Sequence, residues 1–407
     1  MSPPQSIEAD LRPILLTSTL GKVLERFIGS WILKHIDSEI DNTQYGALRK
    51  KSTTHALVDM THHWHGAIDK GQSVRIVFID FAKAFDHVDH NILVDRMRSL
   101  GLSDVIIRWM CAFLQGRQQR VKIGDVLSEW LPVIAGMPQG SYLGPLTFIM
   151  LINGLEAADM THKYVDDTTL TEFLSRPSTS SSMQLYVDEL IQQATNVGMM
   201  INAKKTREML IGRALKVAMP PVVLNNEMIQ RVDTFKLLGV HISNDLKWGQ
   251  HVNIISSKAA SRLYFLKQLK RAGAGTGDLL CFYNTIVRPV LEYASPVWHS
   301  SLTVSQCEAL ESLQKRAMRI IFPHLDYSGS LYIAKAGTLE DRREKLTHRF
   351  FKRNILDESS CLHRLLPEKR SQEVVDRLRS SQTFEHYYAR TERFKKSFIP
   401  FCVNNYQ

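Results

Sequence analysis

Two adjacent carboxylates stand where a predicted hairpin reverses, in the stretch Tyr164-Val165-Asp166-Asp167. Residues 162–165 lead into the turn and residues 168–173 lead out of it, rich in β-branched and aromatic side chains that favour strands. Mg²⁺ prefers oxygen ligands and usually takes only one or two carboxylates from a protein, with phosphate and water completing its shell. Asp-Asp alone is weak evidence, because Asp is a common turn residue. The pair is nevertheless well suited to nucleotidyl transfer at a metal.

A second carboxylate ends the apolar run Val74-Arg75-Ile76-Val77-Phe78-Ile79-Asp80. Strand alternation places Asp80 on the same face as Ile76 and Phe78. Burying an unpaired carboxylate there would cost several kcal/mol, which a bound cation would relieve. Asp86 and Asp89 are instead predicted in the first turn of a helix, where acids favour the positive end of the helix dipole. Asp80 is therefore the better candidate ligand.

The chain around these acids resembles the reverse transcriptases of non-LTR retrotransposons, of the jockey and CR1-like kind. The similarity covers residues 12 to about 325 and consists of ordered blocks rather than one motif. The blocks are 12–14 with 19–25, 44–46 with 49–56, block A at 78–90, block B at 136–146, block C at 164–167, block D at 202–206, block E at 235–240, and 291–298 on the thumb side. The resemblance implies an α+β right-hand polymerase with helical fingers, an antiparallel-sheet palm and a helical thumb.

The resemblance also implies an RNA-directed DNA polymerase that extends a primer 3′-hydroxyl with dNTPs and releases pyrophosphate. Asp80, Asp166 and Asp167 match the carboxylates that hold two Mg²⁺ ions, with Mn²⁺ as a substitute metal. Two such ions can activate the hydroxyl and stabilise the leaving group, so positioning and charge neutralisation carry the rate. The implied partners are an RNA template, a DNA primer or target DNA, and dNTP.

Five residues match the nucleotide-binding positions of the family. Arg12 matches an arginine that grips the triphosphate, and Phe85 matches an aromatic gate that excludes a 2′-hydroxyl. Gln139 and Gly140 lie in the block B turn that approaches the nucleotide, and Lys205 matches a block D lysine that supports pyrophosphate. Four of the five have a structural alternative: a core position in an amphipathic helix for Phe85, an ordinary Pro/Gly loop for Gln139 and Gly140, and an exposed lysine at a helix end for Lys205. Lys204 could take the role of Lys205.

Primer and template contacts are predicted at block E and on the thumb side. Leu238 and Gly239 belong to block E, and a predicted amphipathic helix downstream has cations on one face. The cations of that helix are Lys258, Arg262, Lys267, Lys270 and Arg271. Two later basic clusters are Lys315, Arg316 and Arg319, and then Arg342, Arg343, Lys345, Arg349, Lys352 and Arg353. The net charge of +10 favours a polyanionic partner, although solvated helix faces would also explain any one cluster.

The predicted organisation has four parts. Residues 1–75 form fingers that look clipped at the N-terminus, 76–248 the palm with motifs A to E, 249–325 a basic helical thumb, and 326–407 a helical extension of unknown role. No endonuclease domain is found in the sequence, so the chain resembles the polymerase portion of a larger or decayed open reading frame. A separate endonuclease is one candidate partner, and the sequence does not fix the source of the nick. The sequence does not fix the oligomeric state.

Histidine and cysteine usage argues against a zinc site or a disulfide framework. The five cysteines are scattered without a Cys-x-x-Cys pair. His62, His63 and His65 are close in sequence, and a solvated helix surface is the preferred interpretation over metal binding. No apolar stretch reaches the roughly 20 residues of a membrane span, and no signal peptide is found, so an intracellular protein is expected, in the nucleus or the cytoplasm.

Two alternatives to an active reverse transcriptase remain open. A catalytically decayed nucleic-acid-binding relic would keep the fold and the basic surfaces, and Ala47, Leu48 and Gly154 depart from the family pattern in this direction. An RNA-dependent RNA polymerase would share the palm design, but Phe85 and the form of blocks B and C disfavour it.

Overall fold

A computed structural model of the chain describes residues 17–175, 181–216, 219–371 and 383–406. Arg12 and most of the predicted loop at 176–182 lie outside these ranges. In the N-terminal half the elements are α1 (Thr19–Ile36), α2 (Thr53–Asp69), β1 (Ser73–Ile79), α3 (His90–Ser99), α4 (Asp104–Leu114), β2 (Gln118–Gln119), β3 (Lys122–Ile123), β4 (Val126–Leu127), β5 (Leu131–Pro132), α5 (Leu143–Leu151), β6 (Met160–Tyr164), β7 (Asp167–Leu174) and α6 (Met183–Asn196).

The second half passes from short strands to helices. Its elements are β8 (Arg207–Ile211), β9 (Val223–Leu224), β10 (Glu227–Met228), β11 (Gln230–Arg231), β12 (Thr234–Leu237), β13 (Val240–Ser243), α7 (Gly249–Arg271), α8 (Thr276–Phe282), α9 (Arg288–Glu292), α10 (Ser295–Trp298), α11 (Val304–Ile321), α12 (Tyr327–Ala334), α13 (Leu339–Asn354), α14 (Glu392–Lys395) and α15 (Phe398–Tyr406). The order of helices, central sheet and helices confirms the predicted α+β class. The division into four parts drawn from the sequence stays a prediction.

The central sheet has the strand order β11-β8-β1-β7-β6. Strand β1 pairs antiparallel with both β7 and β8, and β6 pairs antiparallel with β7. The predicted antiparallel sheet is therefore confirmed for its main strands. The edge strand β11 joins β8 in parallel, which the sequence did not predict.

Strand β1 is buried along its whole length, because the sheet separates two hydrophobic cores. Ile76 and Phe78 pack into the core that contains α2 and the thumb-side helices, whereas Val77 and Ile79 pack into the core that contains α3, α5 and α6. Arg75, in the same strand, donates to Glu208 of β8 at 2.6 Å, so its buried charge is paired. The strand is thus held rigidly from both faces.

The helix after block A begins later than the sequence predicted. Asp89 is the N-cap of α3, and its side chain accepts from the backbone N–H groups of Asn91 and Ile92 at 2.7 and 3.2 Å. The structural role of Asp89 is confirmed. Asp86 lies outside the helix, in the turns between β1 and α3, so the prediction that it belongs to the first turn was wrong.

The C-terminal extension packs onto the earlier parts of the chain. Phe351, Phe398 and Cys402 are buried in the same core as α2 and the central sheet. His65 is 3% exposed, and His62 lies against Tyr387 and Phe394 of the extension. The preferred interpretation as a solvated surface was therefore wrong for His62, which the C-terminal segment contacts, and for His65, which is buried. Burial lowers the pKa of both His62 and His65 to about 3, which keeps them neutral.

Across the described ranges, no helix combines the length and the apolar character needed to cross a membrane.

Candidate active site

The strand register brings the three predicted carboxylates to one end of the central sheet. Ile79 faces Thr168 across the β1–β7 ladder, so Asp80 and Asp167 are the next residues at that end. Tyr164 pairs with Asp167, which leaves Val165 and Asp166 as the turn between β6 and β7. Asp80 and Asp166 are half-buried and Asp167 is exposed. Acids that are 86 residues apart in the chain therefore meet at one edge.

The turn that carries Asp166 has a strained backbone. Val165 has a φ of +58°, a conformation that a β-branched residue rarely adopts. Two-residue hairpin turns need a positive φ at their first position, and Gly, Asn or Asp usually supplies it. Backbone strain of this kind persists only where the surrounding structure holds it, and it is concentrated at functional sites.

The segment Gln44-Tyr45-Gly46 holds this strained turn in place. The Gln44 side chain is buried, and its Oε1 accepts from the backbone N–H of Val165 at 3.1 Å and of Gly46 at 2.8 Å. The backbone N–H of Tyr45 donates to the carbonyl of Lys163 at 2.8 Å. A Cβ on Gly46 would lie 2.5 Å from the backbone nitrogen of Val165. Only glycine allows this close approach.

The block D turn contacts the backbone of Asp80. The N–H of Asn202 donates to the Asp80 carbonyl at 2.7 Å, and the Asp80 N–H donates to Thr206 Oγ1 at 3.3 Å. Lys204 and Lys205 lie between these two contacts and are both exposed. Lys205 is thus on a turn beside block A rather than at a helix end, and its role with pyrophosphate stays a prediction.

The block B turn is docked onto block A. The N–H of Met137 donates to the Phe85 carbonyl at 2.7 Å, and Gln139 Nε2 donates to Asp86 Oδ1 at 2.9 Å. Gly136 has a φ of +81°, and a Cβ there would lie 2.8 Å from the Asp86 carbonyl oxygen. A cleft of about 320 Å³ opens beside this contact, lined by Asp86, Arg117, Gln119, Gln139 and residues 132–138.

Other predicted nucleotide-site residues have partners or exposure that the sequence did not specify. Phe85 is half-buried and stacks on Phe148 with ring centroids 5.0 Å apart, so it serves in packing whether or not it is also a gate. Gly140 is exposed with a φ of +98°. The roles of both residues with nucleotide stay predictions.

The donor set at the sheet edge fits Mg²⁺ by its chemistry, since it consists of carboxylates. In the part of the chain that the structure describes, no three His, Cys, Asp or Glu side chains are arranged as a finished metal site. Mg²⁺ usually keeps water and binds substrate phosphate besides one or two carboxylates. That mode of binding, with a nucleotide bringing the remaining oxygens, stays a prediction for the three acids at this edge.

Block E forms a hairpin whose tip lies near the turn that carries Asp166. Leu237 pairs with Val240, so Leu238 and Gly239 form the turn, with φ of +45° and +87°. Tyr293 holds this tip, because its hydroxyl donates to the Leu238 carbonyl at 2.8 Å. Leu238 lines a small pocket together with Tyr164 and Asp167, so the tip lies beside this turn. Partial burial, with Tyr293 and Asp167 nearby, raises the pKa of Tyr164.

The predicted cationic helix is α7, and its five cations differ in their surroundings. Lys258, Lys267 and Arg271 are exposed, as a phosphate contact requires. Arg262 donates to the carbonyl of Ile286, and Lys270 donates to the carbonyl of Ile320. For these two residues, a phosphate would compete with a bond inside the protein.

The last basic cluster is not a uniform surface either. Arg343 is fully buried beside Trp298, with its guanidinium carbon 5.8 Å from the ring centroid. Arg342 forms an ion pair with Glu292. Sequence reasoning could not separate these two from the exposed cations, because all of them lie on one strongly basic helix.

Several residues at the site were missed in the sequence. Asp59 is a fully buried carboxylate that accepts from Tyr45 and His162. Glu25 is 2% exposed and accepts from the N–H of Tyr142 at 2.7 Å, at the start of α5. An acid among the apolar residues of a predicted helix was the available signal in both cases.

Comparison with known sequences gives one family match. A profile described as "Reverse transcriptase (RNA-dependent DNA polymerase)" matches residues 4–242. The RNA-directed DNA polymerase from mobile element jockey of Drosophila melanogaster is 26% identical over 325 residues, which is 76% of this chain and 35% of that protein. The probable RNA-directed DNA polymerase from transposon BS of the same organism is 25% identical, over 90% of this chain and 42% of that protein.

The chain spans about a third of the length of the curated jockey relatives it matches. Among solved structures, apo telomerase from Candida tropicalis has a TM-score of 0.44 and 12% identity, covering 76% of this chain and 51% of that one. Its complex with a TWJ fragment of telomeric RNA has a TM-score of 0.43 and 12% identity, covering 95% and 52%. These structures are distant likenesses. None of the named sequence relatives favours the decayed-relic alternative.

Proposed function

This chain belongs to the reverse transcriptase (RNA-dependent DNA polymerase) family, and we propose that it copies an RNA template into DNA by adding dNTPs to a primer 3′-hydroxyl. The observation that carries the proposal is the meeting of Asp80 with Asp166 and Asp167 at one sheet edge, through the Ile79–Thr168 register. Blocks B and D contact block A at the same edge. A surface built only to bind nucleic acid needs no such arrangement.

In the proposed reaction the protein supplies positioning and charge rather than covalent chemistry. Asp80, Asp166 and Asp167 would hold two Mg²⁺ ions, which when bound lower the pKa of the primer hydroxyl and neutralise charge on the phosphates. Lys205, on the turn that contacts Asp80, would supply positive charge toward pyrophosphate as it leaves. The exposed cations of α7 would follow the phosphates of the primer–template duplex.

Primer extension by the purified full chain tests the proposal. With an RNA template, an annealed DNA primer, dNTPs and Mg²⁺, we expect stepwise extension that stops when EDTA removes the metal and resumes when Mn²⁺ replaces it. Gel separation of the extended primer gives the rate at each nucleotide. Binding of the same primer–template without any extension in either metal would contradict the proposal and support a relic.

Replacing Phe85 with valine should weaken the selection of dNTPs over rNTPs. If the ring blocks a 2′-hydroxyl, a smaller side chain should raise the efficiency of rNTP incorporation roughly ten- to a hundredfold relative to dNTP. Single-nucleotide incorporation with dATP and ATP measures the ratio. Phe148→Leu is the matched control, because it disturbs the other ring of the same stacked pair.

A core role for Phe85 alone predicts a different result. Both variants would then lower stability by similar amounts, as large-to-small changes in a core do, and neither would change the ratio of rNTP to dNTP incorporation. Thermal unfolding of both proteins, followed by circular dichroism, provides the stability comparison.

A further inference from the structure

A buried carboxylate beneath the catalytic hairpin joins three separate parts of the chain. Asp59 of α2 is fully buried, and its Oδ2 accepts three hydrogen bonds. Tyr45 Oη donates at 2.5 Å, His162 Nε2 lies at 3.0 Å, and Arg364 Nη2 donates at 2.5 Å. The three donors come from the segment before α2, from strand β6 and from the C-terminal extension.

Two of these partners lead directly to the turn that carries Asp166. His162 lies in β6, two residues before the last residue of that strand, Tyr164. Tyr45 is flanked by Gln44, which binds the Val165 N–H, and by Gly46, which contacts the Val165 backbone. A shift of the Asp59 carboxylate would therefore move both supports of the turn.

The third partner comes from the part of the chain whose role the sequence left open. Arg364 lies in a short 3-10 helix, His363–Leu365, and its neighbours Leu362 and Leu365 are buried in the core. Tyr387 donates from its hydroxyl to the Leu365 carbonyl, which ties the later part of the extension to the same point. The backbone that carries Arg364 is thus held by packing on both sides, while its side chain is 42% exposed and reaches Asp59 from the surface.

Arg364 supplies the cation at this buried site. Burial by itself would raise the pKa of Asp59, but the His162 hydrogen bond and the charges of His162, Arg364 and His63 hold that pKa well below its usual range. Burial and the negative charge of Asp59 raise the pKa of Tyr45, so its hydroxyl remains a donor. Removing the guanidinium would leave the buried carboxylate beside the Tyr45 hydroxyl and the His162 and His63 imidazoles, without the permanent cation that Arg364 supplies.

We infer that Arg364 is a positioning residue for polymerisation: through Asp59 it fixes Tyr45 and His162, and through them the Val165–Asp166 turn that presents the catalytic carboxylate. The C-terminal extension then contributes to polymerisation, because it supplies Arg364. The expected change in polymerisation rate rests on the proposed function. The expected change in the mobility of the β6–β7 hairpin does not.

The kinetic test compares Arg364→Met and Arg364→Lys with Lys369→Met in the full chain. Lys369 lies in the same extension and pairs with Glu358 at 2.6 Å, and both of these side chains are exposed, so its loss removes one cation without touching Asp59. A pre-steady-state burst on RNA template and DNA primer gives the active fraction from its amplitude and the rate of nucleotide addition from its rate constant. A purely structural role would lower the amplitude alone.

For Arg364→Met we expect the rate constant of the active fraction to fall about tenfold or more, with the KM for dNTP little changed. Arg364→Lys should recover part of the rate, because a point charge replaces the guanidinium fork. Lys369→Met should match the wild type. A normal rate constant in Arg364→Met, with or without a smaller amplitude, would overturn the inference.

Hydrogen–deuterium exchange separates this inference from the proposed function. In Arg364→Met, amides of a peptide covering residues 160–170 should exchange faster than in Lys369→Met, whereas amides of α7 should be unchanged. Equal exchange of the hairpin peptide in the two variants would overturn the inference even if the wild type extended primers. If the hairpin exchanges faster in Arg364→Met but the wild type does not extend primers, the effect of Arg364 on the hairpin is supported and only the proposed activity is contradicted.

Discussion

Replacing Asp166 with alanine should abolish primer extension while the protein remains folded. Asp166 occupies the turn between β6 and β7 at the edge where Asp80 and Asp167 meet, and its proposed task is to hold a metal ion during transfer. Removing one group that stabilises transition-state charge typically costs about a hundred- to a thousandfold in rate. Single-turnover extension on an RNA template, at saturating Mg²⁺ and dNTP, measures the loss.

An exposed acid away from this edge provides the control. Asp188 lies on α6 and accepts from Gln184 at 2.9 Å, four residues earlier on the same helix. Asp188→Ala removes the same charge and should extend primers at the wild-type rate. The metal-holding role of Asp166 fails if Asp166→Ala retains more than about a tenth of that rate, since so small a loss matches a general electrostatic change rather than a lost ligand.

Replacing Gly46 with alanine should slow nucleotide addition without removing any chemical group. The added Cβ would lie 2.5 Å from both the nitrogen and Cγ2 of Val165 and 2.9 Å from the carbonyl carbon of Tyr164, so the turn has to move. Displacing a catalytic group by about 1 Å can cost about a hundredfold in rate. Overpacking should also lower the free energy of unfolding by roughly 1–3 kcal/mol.

Gly277→Ala is the matched control for this change. Gly277 lies in α8, and a Cβ there would meet no atom within 4 Å. That variant should keep the wild-type rate and, being in a helix, gain a little stability. Rates from single-turnover extension and free energies from urea unfolding give the two comparisons. Equal rates for Gly46→Ala and Gly277→Ala would mean that the contact with Val165 does not position the turn.

Local sequence pattern predicted the elements of the site well. The apolar run before Asp80 and the β-prone flanks of Asp166 are short-range signals, and β1, β6 and β7 form where they indicated. Register then follows from alternation, because one face of a strand has to match one core. The convergence of the acids at one sheet edge was expected from the family resemblance, because alternation does not show which strands pair.

The residues that hold the site in place could not be predicted from the sequence, because their roles depend on contacts between distant segments. Gln44 and Val165 are 121 residues apart, and nothing in the local pattern of either shows that one accepts from the other. His62 looks like a surface residue in the sequence, but Tyr387 and Phe394 of the extension pack against its ring. Arg262 and Arg343 look like phosphate ligands in the sequence, because the bond of Arg262 to Ile286 and the burial of Arg343 depend on distant segments. The periodicity of a sequence does not show which polar residues tertiary packing will bury.

The bond between Asp59 and Arg364 spans 305 positions of the chain. During synthesis on the ribosome, the helix containing Asp59 emerges long before the arginine that neutralises it, so an early nascent chain would have to leave that carboxylate hydrated or protonated. Contacts of such long range are slow to form, because chain entropy is lost before they contribute any stability. We therefore expect the catalytic hairpin to reach its final rigidity late, only after translation has passed residue 364.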